Sequence, residues 1–444
     1  MKLLTVLFFV STALLLLNNC NSTDPKLEPE LVLKLEDVSC TEVWLQLKAT
    51  NLQLPNNVTL FINDLQERTF NLTEVDTLLY VDSLLPNQNY SFQIISFYNP
   101  EDGIKSNKVN AATMDTTSHN FTWQTFTFGE HQHSMLYDVA VINENNIWAV
   151  GAIYMNDSLG QPDTQPYAIA HWDGTNWTLM KVPYHDFNQT VKYPGPLFAI
   201  SVIDSEIYVT SYANLLIWVN GNWEEKAFFM KQIPFDGQVL KIWGNDENHI
   251  YCVGRTGAIY YYFNSGWNSI VSGINVNLLD VWGSTDGKTI WTCGYTDDYG
   301  TSALIKIKDG VVEKVFEGFS NSQSNRYYVG PMSGVWSDND YRVFLMNWGG
   351  IYLQQNNNQF FLEKEIAKFS DAGYGIDGTG YNNVFACGEG FVGHWNGYSY
   401  QEYPELFQQL RTFKSVKANA NTVCAVGLDH NSPIYSNAVI VLGK

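Results

Sequence analysis

One unit recurs along the C-terminal three quarters of this chain, and it restricts what the chain can fold into more than any other feature. Each copy opens on a short apolar run, crosses a tight Asn or Asp turn, and continues into a second apolar run ending in Val-Gly or Cys-Gly. A third run then leads to Asp-Gly or Asn-Gly and an aromatic. The first copy reads Leu136-Tyr137-Asp138-Val139-Ala140-Val141, then Ile147-Trp148-Ala149-Val150-Gly151, then His171-Trp172-Asp173-Gly174. Later copies include Ile242-Trp243-Gly244 with Cys252-Val253-Gly254, Val281-Trp282-Gly283 with Cys293-Gly294, Val335-Trp336-Ser337, Val384-Phe385-Ala386-Cys387-Gly388, and Val423-Cys424-Ala425-Val426-Gly427. The copies start near 136, 197, 239, 278, 332, 373 and 413, so the gaps are 61, 42, 39, 54, 41 and 40 residues.

A self-similar period of about 40 residues built from short apolar strands is the signature of a β-propeller, in which each repeat is one four-stranded blade. Seven starts predict seven blades. The Asp-Gly and Asn-Gly pairs predict hairpin turns with both central residues at positive φ. The glycine ending each second strand is expected to supply the same backbone freedom. Trp243, Trp282 and Trp336 share one register, which predicts packing between neighbouring blades. The last copy ends with a third strand, Ala438-Val439-Ile440-Val441-Leu442, two residues from the end at Lys444. An orphan strand, Phe121 to Phe128, precedes the first copy and is expected to supply the missing fourth strand, closing the ring and removing two open edges.

Composition agrees with an all-β chain. Aromatic residues make up 15% and charged residues only 16%, with 33 Gly for turns. The 25 basic and 45 acidic residues leave a formal charge of −20, which repels nucleic-acid phosphates and anionic membranes. No nucleic-acid partner, cofactor or metal is expected, and the chain is expected to be a monomer.

Before the repeats, residues 26–115 alternate apolar and polar positions in short runs. Leu31 to Leu35, Val43 to Leu47, Val58 to Ile62, Thr77 to Tyr80, Tyr90 to Ile94 and Lys108 to Ala111 read as strands of a sandwich. The polar stretch Met114 to Asn120 reads as the linker between the two domains. At the N-terminus, Met1-Lys2 and the apolar run Leu3 to Leu17 read as a signal peptide spanning residues 1–19, the run being short for a transmembrane helix. By the similarity of Leu17-Asn18-Asn19-Cys20 to a bacterial lipobox, Cys20 is the expected lipidation site, heading a tether over residues 20–25. Of the other cysteines, Cys252, Cys293, Cys387 and Cys424 fall at one repeat position, too far apart to bridge. With Cys40 they read as small core residues.

No catalytic motif emerges. Ser284-Thr285-Asp286-Gly287-Lys288-Thr289-Ile290-Trp291 approximates a sialidase box with its Gly and Thr each one place early, and Arg255, Arg326, Arg342 and Arg411 lie outside any such box. There is no Gly-x-Ser-x-Gly elbow. His131-Gln132-His133 is a weak metal pattern. Function therefore falls to the loops joining second to third strands and blade to blade, which share one face of a propeller. The long ones span 154–167, 183–196, 295–302, 319–331 and 428–437. Their candidate ligand-binding residues are Tyr154, Asp157, Tyr184, His185, Tyr193, Asp297, Asp298, Tyr299, Tyr327, Tyr328, Asp429 and His430, because rings stack on sugars or peptides and carboxylates accept hydroxyl or amide protons.

Three features carry a family resemblance: Leu17-Asn18-Asn19-Cys20 is similar to a bacterial lipobox, Leu85-Pro86-Asn87-Gln88-Asn89-Tyr90 resembles the corner of fibronectin type III domains, and the repeat follows. Together they resemble bacterial surface lipoproteins with a fibronectin type III-like sandwich ahead of a seven-bladed β-propeller, relatives of which sometimes carry a glucosyltransferase label. The resemblance implies secretion, lipid anchoring to the outer membrane or cell surface, and a sandwich serving as spacer or adhesion module. No nucleotide-sugar fold or Gly-rich phosphate loop accompanies it. The expected function is non-enzymatic recognition of a glycan or protein through the propeller loop face. The alternative is a carbohydrate-active hydrolase or lyase with carboxylates in the propeller pocket.

Overall fold

The structure is a computed structural model. It describes residues 28–444 except 98–102, 186–187, 189, 194, 230–237, 265, 285, 320–329, 339–341, 357–360, 408–409, 420 and 431–434. The expected signal peptide, Cys20 and its tether, and the candidates Tyr327 and Tyr328 lie outside the described residues. The chain is all-β and divides into two units.

The smaller unit takes in the described residues up to Val38 together with Glu42–Asp82 and Gln88–Ala112. Glu30–Val38, Val43–Thr50 and Asp76–Val81 form one antiparallel sheet. Asn56–Ile62 sits between Leu65–Leu72 and Asn89–Ser96 in a second sheet, and Ile104–Lys105 and Val109–Ala112 both pair with Asn89–Ser96. The period-two pattern decides which side chains go inside: Leu31 and Leu33 are buried while Val32 between them is 40% exposed. Leu45, Leu47, Val58, Leu60, Phe92 and Ile94 complete the apolar filling. The strands Leu65–Leu72 and Ile104–Lys105 had no clear signal in the sequence, because the first carries Gln66, Glu67, Arg68 and Asn71 on a largely exposed edge.

The larger unit is a β-propeller. Among the described residues it contains seven four-stranded antiparallel sheets in chain order. Their innermost strands are Met135–Asn143, Ala199–Ile203, Val239–Asp246, Asn277–Gly283, Met332–Ser337, Gly373–Gly380 and Arg411–Asn419. Each packs beside the next, and the last packs back against the first, so the ring closes. Trp123–Phe128 pairs with Asn437–Gly443 from Phe128 opposite Ala438 to Trp123 opposite Gly443, making the fourth strand of the last sheet. Both ends of the larger unit thus meet in a single sheet.

Two features of the repeat have a steric origin. Trp243, Trp282 and Trp336 each precede a small residue, and the small residue receives the tryptophan of the preceding sheet. A Cβ on Gly283 would lie 2.3 Å from the Trp243 ring, and one on Gly378 would lie 3.0 Å from Trp336. Trp282 donates its indole N–H to the carbonyl of Ser337 at 2.7 Å. The glycine ending the second strand is also a matter of space, which corrects the expectation of backbone freedom. Gly151, Gly254, Gly294, Gly388 and Gly427 have no positive φ, and a Cβ there would fall 1.8–2.2 Å from a backbone carbonyl oxygen at the start of the innermost strand or in the residue just before it. The hairpin glycines do need left-handed backbone. Asn220-Gly221 takes positive φ at both residues, whereas at Asp173-Gly174 only the glycine does. Asp173 instead turns the chain with its side chain, which accepts from the amides of Thr175 and Asn176 at 2.8 and 2.7 Å.

The five described cysteines are buried thiols outside any disulfide, and burial pushes Cys252, Cys293, Cys387 and Cys424 up.

The polar stretch leading into the ring has no regular structure but is held to the sixth sheet. Asn396 and Asn382 donate side-chain N–H groups to the carbonyls of Thr117 at 3.2 Å and Asp115 at 2.8 Å. His119 and His394 meet Nδ1 to Nδ1 at 2.9 Å. His394 Nε2 faces Asn383 Oδ1 at 3.0 Å, and Asn383 in turn donates to Thr379 Oγ1 at 2.6 Å. His394 must then donate from Nε2 and accept at Nδ1, so His119 donates from Nδ1 and accepts from Ser399 Oγ at 3.1 Å. The chain of bonds is complete only with both rings neutral. Burial, with His119 beside it, lowers His394 from 6.5 to about 3. Because the folded value lies below the unfolded one, the unfolded chain binds the extra proton between these limits. Stability therefore falls as pH drops through that window, by about 1.4 kcal/mol per pH unit for one proton. Urea midpoints measured between pH 7 and pH 4.5 should fall more steeply for the native chain than for His394→Gln, and equal slopes would refute this assignment.

Candidate functional site

The innermost strands build the site. In six sheets the pairing of first and second strands slips by one residue near the start of the first strand, between Leu136 and Asp138, Val239 and Lys241, Leu278 and Asp280, Met332 and Gly334, Gly373 and Gly375, and Phe413 and Ser415. The extra residues are Tyr137, Leu240, Leu279, Ser333, Tyr374 and Lys414. Such bulges re-aim side chains, and all six line one cavity of about 70 Å³ at the loop-face mouth of the central channel. Phe198 fills the same place in the second sheet, whose register is regular.

One residue further along, three of these strands carry charged groups, Asp138, Lys241 and Asp280, which begin a belt inside the channel. Asp138 accepts from Lys241 Nζ and Ser415 Oγ, both at 2.7 Å, and from the amides of Val139 and Ile200 at 3.0 and 3.1 Å. Asp280 accepts from the amides of Val281 and Val335, both at 3.0 Å. Two places further on, Asp377 accepts from Lys417 Nζ at 2.8 Å and Ala418 N at 2.9 Å. Each aspartate thus ties its own sheet to the next or bridges to a lysine. Burial pushes Asp280 and Asp377 up. Burial alone would push Lys241 down, but the carboxylates of Asp138, Asp280 and Asp377 outweigh it and hold Lys241 above the ordinary lysine value.

Around the mouth stand two aromatic groups. Tyr137, Phe198 and Tyr212 form one, with ring centroids 5.0 and 5.2 Å apart. The other joins Tyr295, Tyr299, Trp348 and Tyr374. Tyr299 lies 4.8 Å from Trp348 and 5.6 Å from Tyr295, and Trp348 lies 6.4 Å from Tyr374. Burial pushes Tyr295 up to about 12 and Tyr137 upward, so these phenols stay protonated donors at neutral pH. Tyr374 donates its hydroxyl to Glu389 at 2.7 Å, and Lys414 Nζ sits 4.0 Å from the centroid of the Tyr374 ring. Burial lowers Lys414, opposed by Glu389 and then Cys387.

The sequence candidates divide. Tyr299 belongs to the second aromatic group. Asp297 holds the rim beside it, accepting from Arg255 at 3.1 Å and Asn277 at 2.8 Å. Tyr154 is half-buried near Tyr137, its ring 6.0 Å from His131. Asp157 and Asp298 shape their own turns: Asp157 accepts from the amides of Leu159 and Gln161 at 2.8 and 2.9 Å, and Asp298 from Gly300 at 3.0 Å and Thr296 Oγ1 at 2.5 Å. Tyr184 is a core residue, 5% exposed and accepting from Asn214 at 2.6 Å, and His185 follows it in a two-residue strand paired with Val191–Lys192. Asp429 is wholly buried in an ion pair with Arg411 at 3.0 Å. Tyr193 and His430 are exposed. His131 donates its Nε2–H to the carbonyl of Met155 at 2.9 Å, and among the described residues no group of three His, Cys, Asp or Glu could hold a metal. The sequence reading missed Tyr137, Phe198, Tyr295, Trp348, Tyr374, Lys414 and Glu389. Aligning the seven repeat starts would have exposed the column Tyr137, Phe198, Leu240, Leu279, Ser333, Tyr374 and Lys414.

The fold defines a β-propeller protein with an aromatic-rimmed channel mouth. The WD40 β-propeller domain of Doa1 is similar to it, with a TM-score of 0.52 at 13% identity, covering 72% of this chain and 97% of that one. A structural genomics protein of unknown function from Bacteroides thetaiotaomicron matches 94% of this chain and 98% of its own at 9% identity and a TM-score of 0.36. A gluconolactonase from Xanthomonas campestris matches 71% and 99% at 10% identity and a TM-score of 0.37. The likeness to the Doa1 domain speaks for the fold alone, and the two weaker ones carry nothing further. No protein-family profile matches the chain, and no curated protein does.

Proposed function

We propose that this chain is a secreted, lipid-anchored binding protein of the bacterial surface that recognises a glycan at the loop-face mouth of its propeller. The observation that carries the reading is the wall of Tyr295, Tyr299, Trp348 and Tyr374, with ring spacings of 4.8–6.4 Å, beside the Tyr374 and Glu389 hydroxyl–carboxylate pair. Partly exposed aromatic rings next to hydrogen-bonding groups suit the apolar faces and hydroxyls of sugar rings. In this reading the seven sheets are the blades of a seven-bladed propeller, and the smaller unit is a fibronectin type III-like spacer. The order of strands in its two sheets supports that assignment, as does the Leu85 to Tyr90 corner. Signal peptide and lipidation at Cys20 rest on the residues Met1 to Asp24.

Binding rather than turnover is favoured because the channel carboxylates are committed to the fold. Asp138, Asp280 and Asp377 each accept from strand amides of two sheets or from a lysine, so none of these three is an open acid or base. A glycan array on the purified protein tests the reading. Trp348→Ala should lower affinity for the glycans that bind by about tenfold or more, as removal of a central aromatic anchor does, in a chain that a melting curve shows to be folded. Hydrolysis or elimination of any bound oligosaccharide, abolished by Glu389→Gln, would establish the carbohydrate-active alternative instead.

A further inference from the structure

We infer that the loop-face mouth selects sugars bearing a carboxylate, with Lys414 as the group that pairs with it. The inference rests on the glycan-binding reading and narrows it to acidic sugars. Lys414 is the one charged residue among the six bulge residues that line the mouth. The belt lysines, by contrast, are spoken for: Lys241 and Lys417 each sit 2.7–2.8 Å from an aspartate oxygen. Among the described residues Lys414 makes no hydrogen bond and no ion pair; its ammonium rests on the Tyr374 ring at 4.0 Å. The carboxylate that acts on it, Glu389, already accepts the Tyr374 hydroxyl at 2.7 Å. Burial already disfavours the Lys414 charge, so an incoming anion restores what desolvation took away.

Size sets what can enter. About 70 Å³ is the room of roughly two liquid waters. A carboxylate fits there and a pyranose ring does not. The ring must stay above, on the wall of Trp348, Tyr299 and Tyr374, while its acidic group dips to Lys414. The floor does not oppose this strongly: Asp138 is neutralised by Lys241, and both oxygens of Asp280 are turned into backbone amides. Neutral sugars can use the same wall but gain nothing from the ammonium, so the lysine sets specificity and the aromatics set affinity.

The test is calorimetric titration with two matched pairs, trigalacturonate against maltotriose and 3′-sialyllactose against lactose. The native chain is compared with Lys414→Met, Lys414→Arg and Trp348→Ala, and circular dichroism melts verify that each is folded. The expected result is at least tenfold tighter binding of an acidic member than of its neutral counterpart, weakening as salt is raised. Lys414→Met should erase that preference by weakening the acidic member of each pair far more than the neutral one, Lys414→Arg should keep it, and Trp348→Ala should weaken both members of a pair. Equal affinity for acidic and neutral members, or a preference that survives Lys414→Met, would overturn the inference and leave glycan binding standing. Failure of the native chain to bind any of the four would overturn both.

Discussion

Replacing Asp138 with alanine is expected to destabilise the propeller by about 3–5 kcal/mol, the usual consequence of stranding one member of a buried ion pair. Asp138 is 1% exposed and draws together four sheets. Its carboxylate receives the amide of Ile200 from the second, the ammonium of Lys241 from the third and the hydroxyl of Ser415 from the seventh. Without it, the Lys241 ammonium, on a side chain only 13% exposed, faces the channel with no hydrogen-bond acceptor. Thermal unfolding should move down by about 10 °C. A double-mutant cycle separates the stranded charge from the lost amide bonds. Lys241→Met placed on Asp138→Ala should recover about 1–2 kcal/mol, because it removes the uncompensated ammonium. If the two losses simply add, the belt is not an ion-pair network and the account given for it fails.

Gly294→Ala is the second large effect. The added methyl would stand 1.8 Å from the carbonyl oxygen of Asn277 and 3.0 Å from the Leu278 Cα, both backbone atoms beside a bulge that cannot move without shifting Leu279 and Asp280. The expected cost is about 3 kcal/mol, at the upper end of overpacking. Gly266→Ala is the control. It lies in a strand with ordinary φ and its nearest neighbour would be 4.0 Å away, so it should stay within about 0.5 kcal/mol of the native chain. Gly294→Asn discriminates further. A need for left-handed backbone would tolerate asparagine, whereas a close approach of two strands rejects it as firmly as alanine.

These two sites mark where reading the sequence stops short. The Val-Gly and Cys-Gly endings were visible as a repeat, yet their cause was not. A glycine signals either positive φ or a lack of room, and only the distance to Asn277 and its counterparts chooses between them. The Trp-Gly and Trp-Ser pairs were visible too, but that each tryptophan fills the space left by the small residue of the following sheet requires knowing which strands are neighbours. Asp429 and Tyr184 looked like loop residues because they sit next to long polar stretches, and burial against Arg411 and Asn214 makes them part of the framework.

Period and hydrophobic alternation, which are local, were sufficient for the sequence alone to determine the all-β class and the repeat, and to point to a strand within 121–128, of which the structure pairs Trp123–Phe128 with Asn437–Gly443. The binding mouth was settled only in three dimensions. It is assembled from one residue of each repeat, spaced about 40 positions apart, and six of the seven are turned into the channel by a bulge that leaves no mark on the hydrophobic pattern. Closing the ring brings Tyr137, Tyr374 and Lys414 to one place, and it is that closure, a property of the whole chain, that gives them a common role.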